Sequence, residues 1–445
     1  MTSPARPVIA VKPLAGKPSA EALARMDKRW RWRYLVLAPH RLGFFLAMVV
    51  LVASGAWWAL VQMARSTGGW GLYYAMSPTL VHAAVMAFGF IPLFFSGFLF
   101  TAGPKWLGVD PLPARALRLP LAAQALGWLL WLAGAHWRIG AALAGLALAC
   151  AGLAWMTVLF WGRVRLSQAE DQLHARAIGI ACVVGCASLA ALWLSLAVGT
   201  HALARACIYT GLWGFVVVVY VTVAHRMIPF FTSSAMPMVR AWRPFWVLWL
   251  MLAAAALQVL ATWLEWAGVP SSAAGPAWMV VHGALQLAVG GVLVWLAGVW
   301  GLVQSLKNKL LAMLHIGFVW LGLAFLLGGL SQWLAWGFGL GTLGLGALHA
   351  LTMGCLASLM LAMVTRVSCG HSGRALVADR IAWTLFWLLQ AATVLRIAAA
   401  VPGVFGVAWA WLLPAAACLW AVTMGIWGAR LGGWYGRLRA DGRPG

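Results

Sequence analysis

Acidic residues are scarce in this sequence, and their scarcity excludes several classes of protein. Asp and Glu number 8 among 445 residues, against 31 Lys and Arg, and only 9% of residues are charged while 64% are hydrophobic. A soluble fold is excluded, because apolar runs of about 20 residues with so few charges are typical of membrane-spanning helices. Continuous runs also argue against a transmembrane barrel, whose strands alternate in polarity. Proton-coupled transport is disfavoured, since no carboxylate lies near the middle of an apolar run.

Cysteine patterns typical of structural metal sites are also missing. The seven cysteines include no CxxC pair and most lie in apolar runs, which favours reduced core residues over disulfides. The first 40 residues lack the short apolar core of a cleavable signal peptide, so we expect the first membrane helix to be retained. The net charge of +23 does not indicate a nucleic-acid partner, because the cations fall mainly in alternate loops, as in membrane proteins.

The hydropathy pattern predicts an all-α polytopic membrane protein with about twelve transmembrane helices embedded in a lipid bilayer. The chain divides into a basic tail at 1–40, a membrane domain at 41–430 and a C-terminal tail at 431–445. Cation-rich loops alternate with loops that carry few cations, and the positive-inside rule then places both termini in the cytoplasm. The predicted apolar segments are 41–63, 79–103, 119–136, 139–161, 177–199, 205–225, 243–266, 277–302, 311–333, 342–365, 381–400 and 404–430.

This topology sorts the histidines by depth. Three fall in the outer portions of their helices, namely His82, His282 and His349. Three fall at the inner ends of helices or in the loop that follows, namely His225, His315 and His371. His136 and His201 lie at outer loops, while His40 and His174 lie in or near cytoplasmic segments.

The outer histidines are candidate haem ligands. With carboxylates almost absent, imidazole, thioether and thiol are the ligand groups left inside the membrane, and these bind haem iron and copper. Two histidines at one depth on different helices can hold a haem from opposite faces, and His82 with His349 is the preferred pair, with His282 in reserve. Met86 and Met353 are alternative axial ligands. The alternative is that each histidine only forms a hydrogen bond across a helix interface.

A second metal site is predicted at the inner ends of the helices. His225, His315 and His371, with Cys369 as a further candidate, could hold copper or donate hydrogen bonds to the exit loops. Arg226, Arg366 and Arg374 could bind carboxylates such as haem propionates. Their alternative role is ordinary anchoring to lipid phosphate.

Helices 2 and 10 resemble one another in sequence. Each carries a His and a Met four residues apart on one helix face, His82 with Met86 and His349 with Met353. Helix 6 ends in a comparable basic segment that begins at His225. The marked helices are four apart along the chain, which favours three four-helix units.

Four segments of the chain resemble the NnrS family. The stretch from His349 to Leu376, HALTMGCLASLMLAMVTRVSCGHSGRAL, is similar to the family signature HALTxGxxxxMxLxVMxRxSLGHTGRxL. Residues 224–232 resemble the family's GGRVIPFFT, residues 314–321 its LHLGYAWL, and residues 82–106 its WHxHEMxFGF and GFLLTAxPNW segments. By position, the residues that occupy family motif positions are His82, Arg226, His315, His349, Arg366, His371 and Arg374.

The resemblance implies a bacterial inner-membrane protein of denitrification and nitric oxide stress that carries haem and copper. This chain departs from the family pattern at Ala84 and Val85, where the family has His and Glu, and at His225, where it has Gly. The spacing of helices 2, 6 and 10 is also similar to the catalytic subunit of haem-copper oxidases. Oxygen chemistry of that kind is not supported, because the chain has neither an adjacent His-His pair nor an HPEVY-like segment.

The preferred interpretation is a haem b protein, with copper as a second metal, that binds or detoxifies nitric oxide or a nitrosyl species. A redox role also implies an electron donor, which the sequence does not identify. One alternative is a transporter of a small solute or metal without a redox cofactor. Another is a metal-free sensor or assembly protein whose histidines only link helices.

Overall fold

The computed structural model describes residue 27 and residues 29–338, 342–401 and 409–442. Within these ranges every regular element is a helix, and 12 helices are long and apolar enough to cross a membrane. The predicted all-α polytopic fold is therefore confirmed. The helices are α1 (Pro39–Ser66), α2 (Pro78–Leu107), α3 (Ala114–Trp137), α4 (Ile139–Leu166), α5 (Leu173–Ala197), α6 (His201–Ala235), α7 (Phe245–Trp266), α8 (Gly275–Val299), α9 (Lys309–Gly337), α10 (Gly346–His371), α11 (Arg380–Ala398) and α12 (Leu412–Tyr435).

Several helices run further than hydropathy indicates. The predicted segment 205–225 is shorter than α6, which continues through Pro229 to Ala235, and α10 continues past residue 365 to His371. These extensions are polar in sequence, but their backbones stay helical because neighbouring helices bury them, as at Thr232 and Ser368. Short helical turns at Trp32–Leu37, Val269–Ser271 and Leu302–Ser305 complete the described elements.

The bundle closes on itself and has an inner set of helices. Successive helices pack against one another along the chain, and α12 packs against α1. The buried share of the apolar window is 78% in α2 and 67% in α6, α9 and α10, against 33–50% in the other eight helices. The three helices marked in the sequence are thus among the most enclosed by protein. The predicted division into three four-helix units stays a prediction.

Glycine permits the closest of the inner contacts. Gly43 of α1 faces Gly97 of α2, and a Cβ atom built on Gly97 would come within 2.7 Å of the Phe44 ring. Larger side chains at these positions would push the two helices apart, since buried cores tolerate little added volume.

The two ends of the membrane domain meet on one side of the bundle. The indole of Trp30 donates to the carbonyl oxygen of Gly432 at 3.0 Å, and Arg41 donates to that of Arg437 at 2.7 Å. The predicted tail at 1–40 lies mostly outside the described residues, as do residues 443–445 of the C-terminal tail. The positive-inside assignment of this side to the cytoplasm stays a prediction.

Three inner helices depart from regular α-helical geometry in their middles. The helical segments of α2 separate between Phe88 and Ile91, while α6 is π-helical at Leu212–Val217 and α10 at Ala350–Ala357. Interruptions of this kind leave backbone groups and side chains in unusual directions and are frequent at functional sites. All three border the same cavity.

Candidate cofactor cavity

A cavity of about 880 Å³ lies among α1, α2, α6, α10, α11 and α12, and we call it the main cavity. His82 and His349, the preferred pair from the sequence, both line it. Its volume falls in the range of small-molecule and cofactor sites, about 300–1,000 Å³. Most of its wall is apolar, so the few polar groups that face it are the candidates for specific binding.

The imidazole of His349 is held in a defined tautomer. Its Nδ1 lies 2.9 Å from the carbonyl oxygen of Leu345, one turn earlier. A carbonyl can only accept, so Nδ1 carries the proton and donates, and Nε2 keeps its lone pair. Metal-binding histidines commonly have this arrangement, with one ring nitrogen bound to a carbonyl and the other free for the metal.

The imidazole of His82 is oriented by packing rather than by hydrogen bonding. It stacks on the indole of Trp58 from α1, with ring centroids 3.9 Å apart and planes 16° from parallel. Its Nδ1 is buried and has no hydrogen-bond partner among the described residues. A buried polar atom without a partner is costly, so this nitrogen is a candidate for a ligand or a cofactor contact.

Arginines, not carboxylates, supply the charge of the main cavity. Arg396 of α11 and Arg205 of α6 line it, and no Asp or Glu does among the described residues. Arg205 pairs with Glu265 at 3.1 Å, with both side chains more than half exposed. Arg396 has no hydrogen-bond or ion-pair partner in the part of the chain that the structure describes, which makes it the free cation of this cavity.

The sequence predicts that three other arginines, Arg226, Arg366 and Arg374, bind the carboxylates of a cofactor. Arg366 lies 17 residues beyond His349 on α10, about 25 Å away at the α-helical rise. It lies over the ring of Phe231, Arg226 lies over Trp106, and Arg374 lies over Trp434. None of the three lines the main cavity.

Arg396 could have been found in the sequence, because a cation inside an apolar segment is itself a signal.

The inner histidines are distributed over separate partners. His225 pairs with His174 of α5 at 3.0 Å, and His315 lies 2.9 Å from the hydroxyl of Thr232. His371 packs on His40, with ring centroids 4.4 Å apart. No group of three or more His, Cys, Asp or Glu with metal-binding geometry occurs among the described residues.

His282 lies away from the main cavity, and its Nε2 has hydrogen-bond partners while its buried Nδ1 has none among the described residues. It stacks on Trp278 and lies within 3.3 Å of the Gln258 and Gln286 amides, which also hydrogen-bond each other. This is the hydrogen-bonding role considered for lone histidines in membrane helices. Of the sulfur ligands considered, Met86 and Met353 line the main cavity, whereas Cys369 lies near the opposite end of α10.

A family model described as NnrS protein matches residues 34–439. The match includes every membrane helix from Pro39 to Tyr435. No curated protein matches the chain.

Proposed function

Because the chain belongs to the NnrS family, we propose that it is a membrane haemoprotein of the nitric oxide response, with haem b in the main cavity. The observation that supports haem binding most directly is that His82 and His349, from two different helices, line one cavity of about 880 Å³. We place the protein in the bacterial inner membrane and assign the side where both chain ends meet to the cytoplasm.

The residues that line the main cavity are chemically suited to haem. His349 offers Nε2, because its Nδ1 is committed to Leu345. His82 has a buried ring nitrogen without a described partner. Arg396 is an unpaired cation suited to a propionate, since guanidinium binds carboxylates in a fork geometry, and Arg205 adds a second cation at the same cavity.

Haem iron, when bound, would supply a one-electron redox change, and it would offer a coordination position to a diatomic ligand only while one of the two histidines is not bound to it. The residues of the chain orient the candidate ligands and shape the cavity. Trp58 keeps the His82 ring in a fixed plane, and the carbonyl of Leu345 fixes the proton of His349 on Nδ1. The apolar wall excludes ions and admits small uncharged molecules, a class that includes nitric oxide.

Copper stays a prediction of the family resemblance. His225 contacts His174 and the carbonyl oxygen of Pro244. His315 contacts the Thr232 hydroxyl, and His371 packs on His40. Among the described residues these histidines do not form one cluster of three candidate ligands.

The test is an absorption spectrum of the purified protein, oxidised and then reduced with dithionite, with haem and metal quantified. We expect a Soret band that sharpens and shifts on reduction and shifts again with nitric oxide. His349→Ala and His82→Ala should each lower haem content or change the reduced spectrum. His282→Ala is the matched control, because Gln258 and Gln286 remain hydrogen-bonded to each other in its absence.

A colourless, metal-free protein from haem-replete cells would overturn the haem assignment. The main cavity would then favour the transporter alternative, which solute uptake into liposomes would test. Normal spectra in both cavity variants would remove these histidines from the site even if haem is present.

A further inference from the structure

A second cavity lies at the other end of α10, and we call it the exit-loop pocket. It has a volume of about 400 Å³ and is bordered by the end of α10, the loop that follows, the start of α11 and the end of α12. The main cavity shares no lining residue with it. Its role is therefore independent of the haem proposal.

Two guanidinium groups face this pocket without full compensation. Arg374 and Arg430 both line it, and each has a buried Nη1 with no hydrogen-bond partner among the described residues. Asp379 is the acidic lining residue, and it forms an ion pair with Arg430. One of the two positive charges is left unmatched, and a buried N–H donor such as these Nη1 groups is costly unless an acceptor approaches it.

The aromatic wall fixes both cations in place. The guanidinium carbons of Arg374 and Arg430 lie 4.3 and 5.3 Å from the ring centroid of Trp434. Stacking on an indole leaves the edge N–H groups of a guanidinium available to other acceptors. The two arginines therefore present donors from a shared, preorganised support.

A hydroxyl adds a third donor. Thr365 lines the pocket, is 3% exposed and accepts a hydrogen bond from the indole of Trp427 at 3.1 Å. Its own proton has no acceptor among the described residues. Buried donors of this kind are normally satisfied, so a ligand acceptor is the missing partner.

The remaining wall is mostly apolar and lies at the ends of α10 and α12. Ala375, Val377, Leu385 and Leu431 line it, and the pocket is larger than a simple oxyanion requires. The pocket also lies near the meeting point of the chain ends, since the Ser368 and Tyr435 hydroxyls are hydrogen-bonded at 2.7 Å. Because α10 and α12 end here, we expect the pocket to lie at the depth of the lipid headgroups on that side.

We infer that the exit-loop pocket binds a phosphate group through Arg374, Arg430 and Thr365. The phosphate has two potential sources, the headgroup of an anionic phospholipid or free inorganic phosphate. Guanidinium groups match phosphate in geometry and charge.

The lipid source is tested by retention. Wild type, Arg374→Gln and Arg380→Gln are purified side by side in the same detergent, and co-purified anionic phospholipid is quantified by mass spectrometry. Arg380 is exposed, lies six residues after Arg374 and is not among the pocket residues, so its variant removes the same charge from outside the pocket. Wild type and Arg380→Gln should retain equal lipid, and Arg374→Gln should lose at least half of it.

The free-phosphate source is tested on delipidated protein. Sodium phosphate is titrated against sodium chloride at equal ionic strength while the Tm is followed. A saturable rise in Tm is expected for wild type and Arg380→Gln, with an affinity about tenfold weaker in Arg374→Gln, the effect of losing one charge-assisted hydrogen bond.

A third variant covers the case in which Arg374→Gln does not fold. Val377 is 62% exposed at the pocket, so Val377→Trp narrows the pocket while keeping both arginines, and it should abolish either form of binding. Retention of anionic phospholipid identifies the lipid headgroup as the source of the phosphate group, and a rise in Tm with sodium phosphate identifies free phosphate. Wild type that neither retains anionic phospholipid beyond the pocket variants nor responds to phosphate overturns the proposal.

Discussion

The His82 imidazole lies flat on the Trp58 indole, with 3.9 Å between ring centroids. This contact makes α1 the support for a ligand candidate on α2. Aromatic stacking contributes about 0.5–1.5 kcal/mol beyond area burial, and here it also restrains the ring that the proposed haem would meet.

Trp58→Leu should therefore lower thermal stability modestly and loosen His82. The expected signature is a fall in Tm together with faster loss of bound haem on dilution. Trp155→Leu serves as the control, because Trp155 is 48% exposed and distant from the cavity lining. Equal haem retention in the two variants would show that the stack does not position His82.

Arg396→Leu should stabilise the haem-free protein and weaken haem binding. An unpaired arginine in a membrane helix costs about 2.5–3.5 kcal/mol at mid-membrane and less toward a helix end. Removing it should raise the Tm of haem-free protein and lower haem affinity, because a carboxylate loses its partner. Differential scanning fluorimetry with a haem titration measures both. Arg205→Leu is the comparison, since Arg205 already has Glu265. A variant that lowers the Tm of haem-free protein would contradict an unpaired Arg396.

Gln390→Ala should destabilise the protein whether or not a cofactor is bound. Gln390 accepts from the indole of Trp320 at 2.7 Å and donates to Ser358 at 2.9 Å, linking α9, α10 and α11. Its loss leaves the partly buried indole N–H of Trp320 without its acceptor, at a cost toward the lower end of about 1–3 kcal/mol. The Tm should fall clearly below that of Gln168→Ala, an exposed loop control. An unchanged Tm would mean that water replaces the amide.

The ion pair at the exit-loop pocket predicts a pH-dependent stability. Burial acts to raise the pKa of Asp379, but hydrogen bonds from Arg430 and the Ala382 amide, with the charge of Arg430, hold it below its usual value. A carboxyl with a lowered folded-state pKa stabilises the protein above its ordinary pKa, near 3.9, and loses this as pH falls through the folded-state value.

Asp379→Asn should consequently lower the Tm at pH 7. The difference from wild type should begin to shrink as pH falls below about 4 and should be lost once the pH is below the folded-state pKa of Asp379. Because this carboxylate is 49% exposed, the effect at pH 7 should stay below about 1 kcal/mol. Asp110→Asn, in an exposed loop, controls for loss of a charge. A Tm difference between wild type and Asp379→Asn that grows toward acid pH would contradict the predicted loss of stabilisation.

Hydropathy alone could predict the twelve spans, because burial in lipid imposes a length and a composition on each helix. It also placed His82, His282 and His349 at one depth, and the structure puts His82 and His349, but not His282, on the wall of the main cavity. Neither inference needed side-chain geometry.

The inner histidines show where sequence reasoning stops. His40 and His174 look like residues of cytoplasmic segments, yet they are 4% and 2% exposed and pack on His371 and His225. Such pairings depend on which helices become neighbours, and hydropathy carries no information about that. Arg396 shows a related limit: it lies in the last turn of α11, and its place at the main cavity depends on the packing of α11 against α10.

The π-helical stretch of α10 has a consequence for its two ends. Such a stretch holds one residue more than an α-helix would over the same turns, so the halves on either side are rotated by about 100° from the register of a continuous helix. Deleting one residue between Ala350 and Ala357 would leave the hydropathy profile and the count of spans unchanged. It would also keep the relative orientation of His349 and Arg366, because the residue removed is the extra one that the π-helical turns hold. The change would be confined to the side chains that the stretch presents to the main cavity, such as Met353, a lesion that only a spectroscopic or binding assay would register.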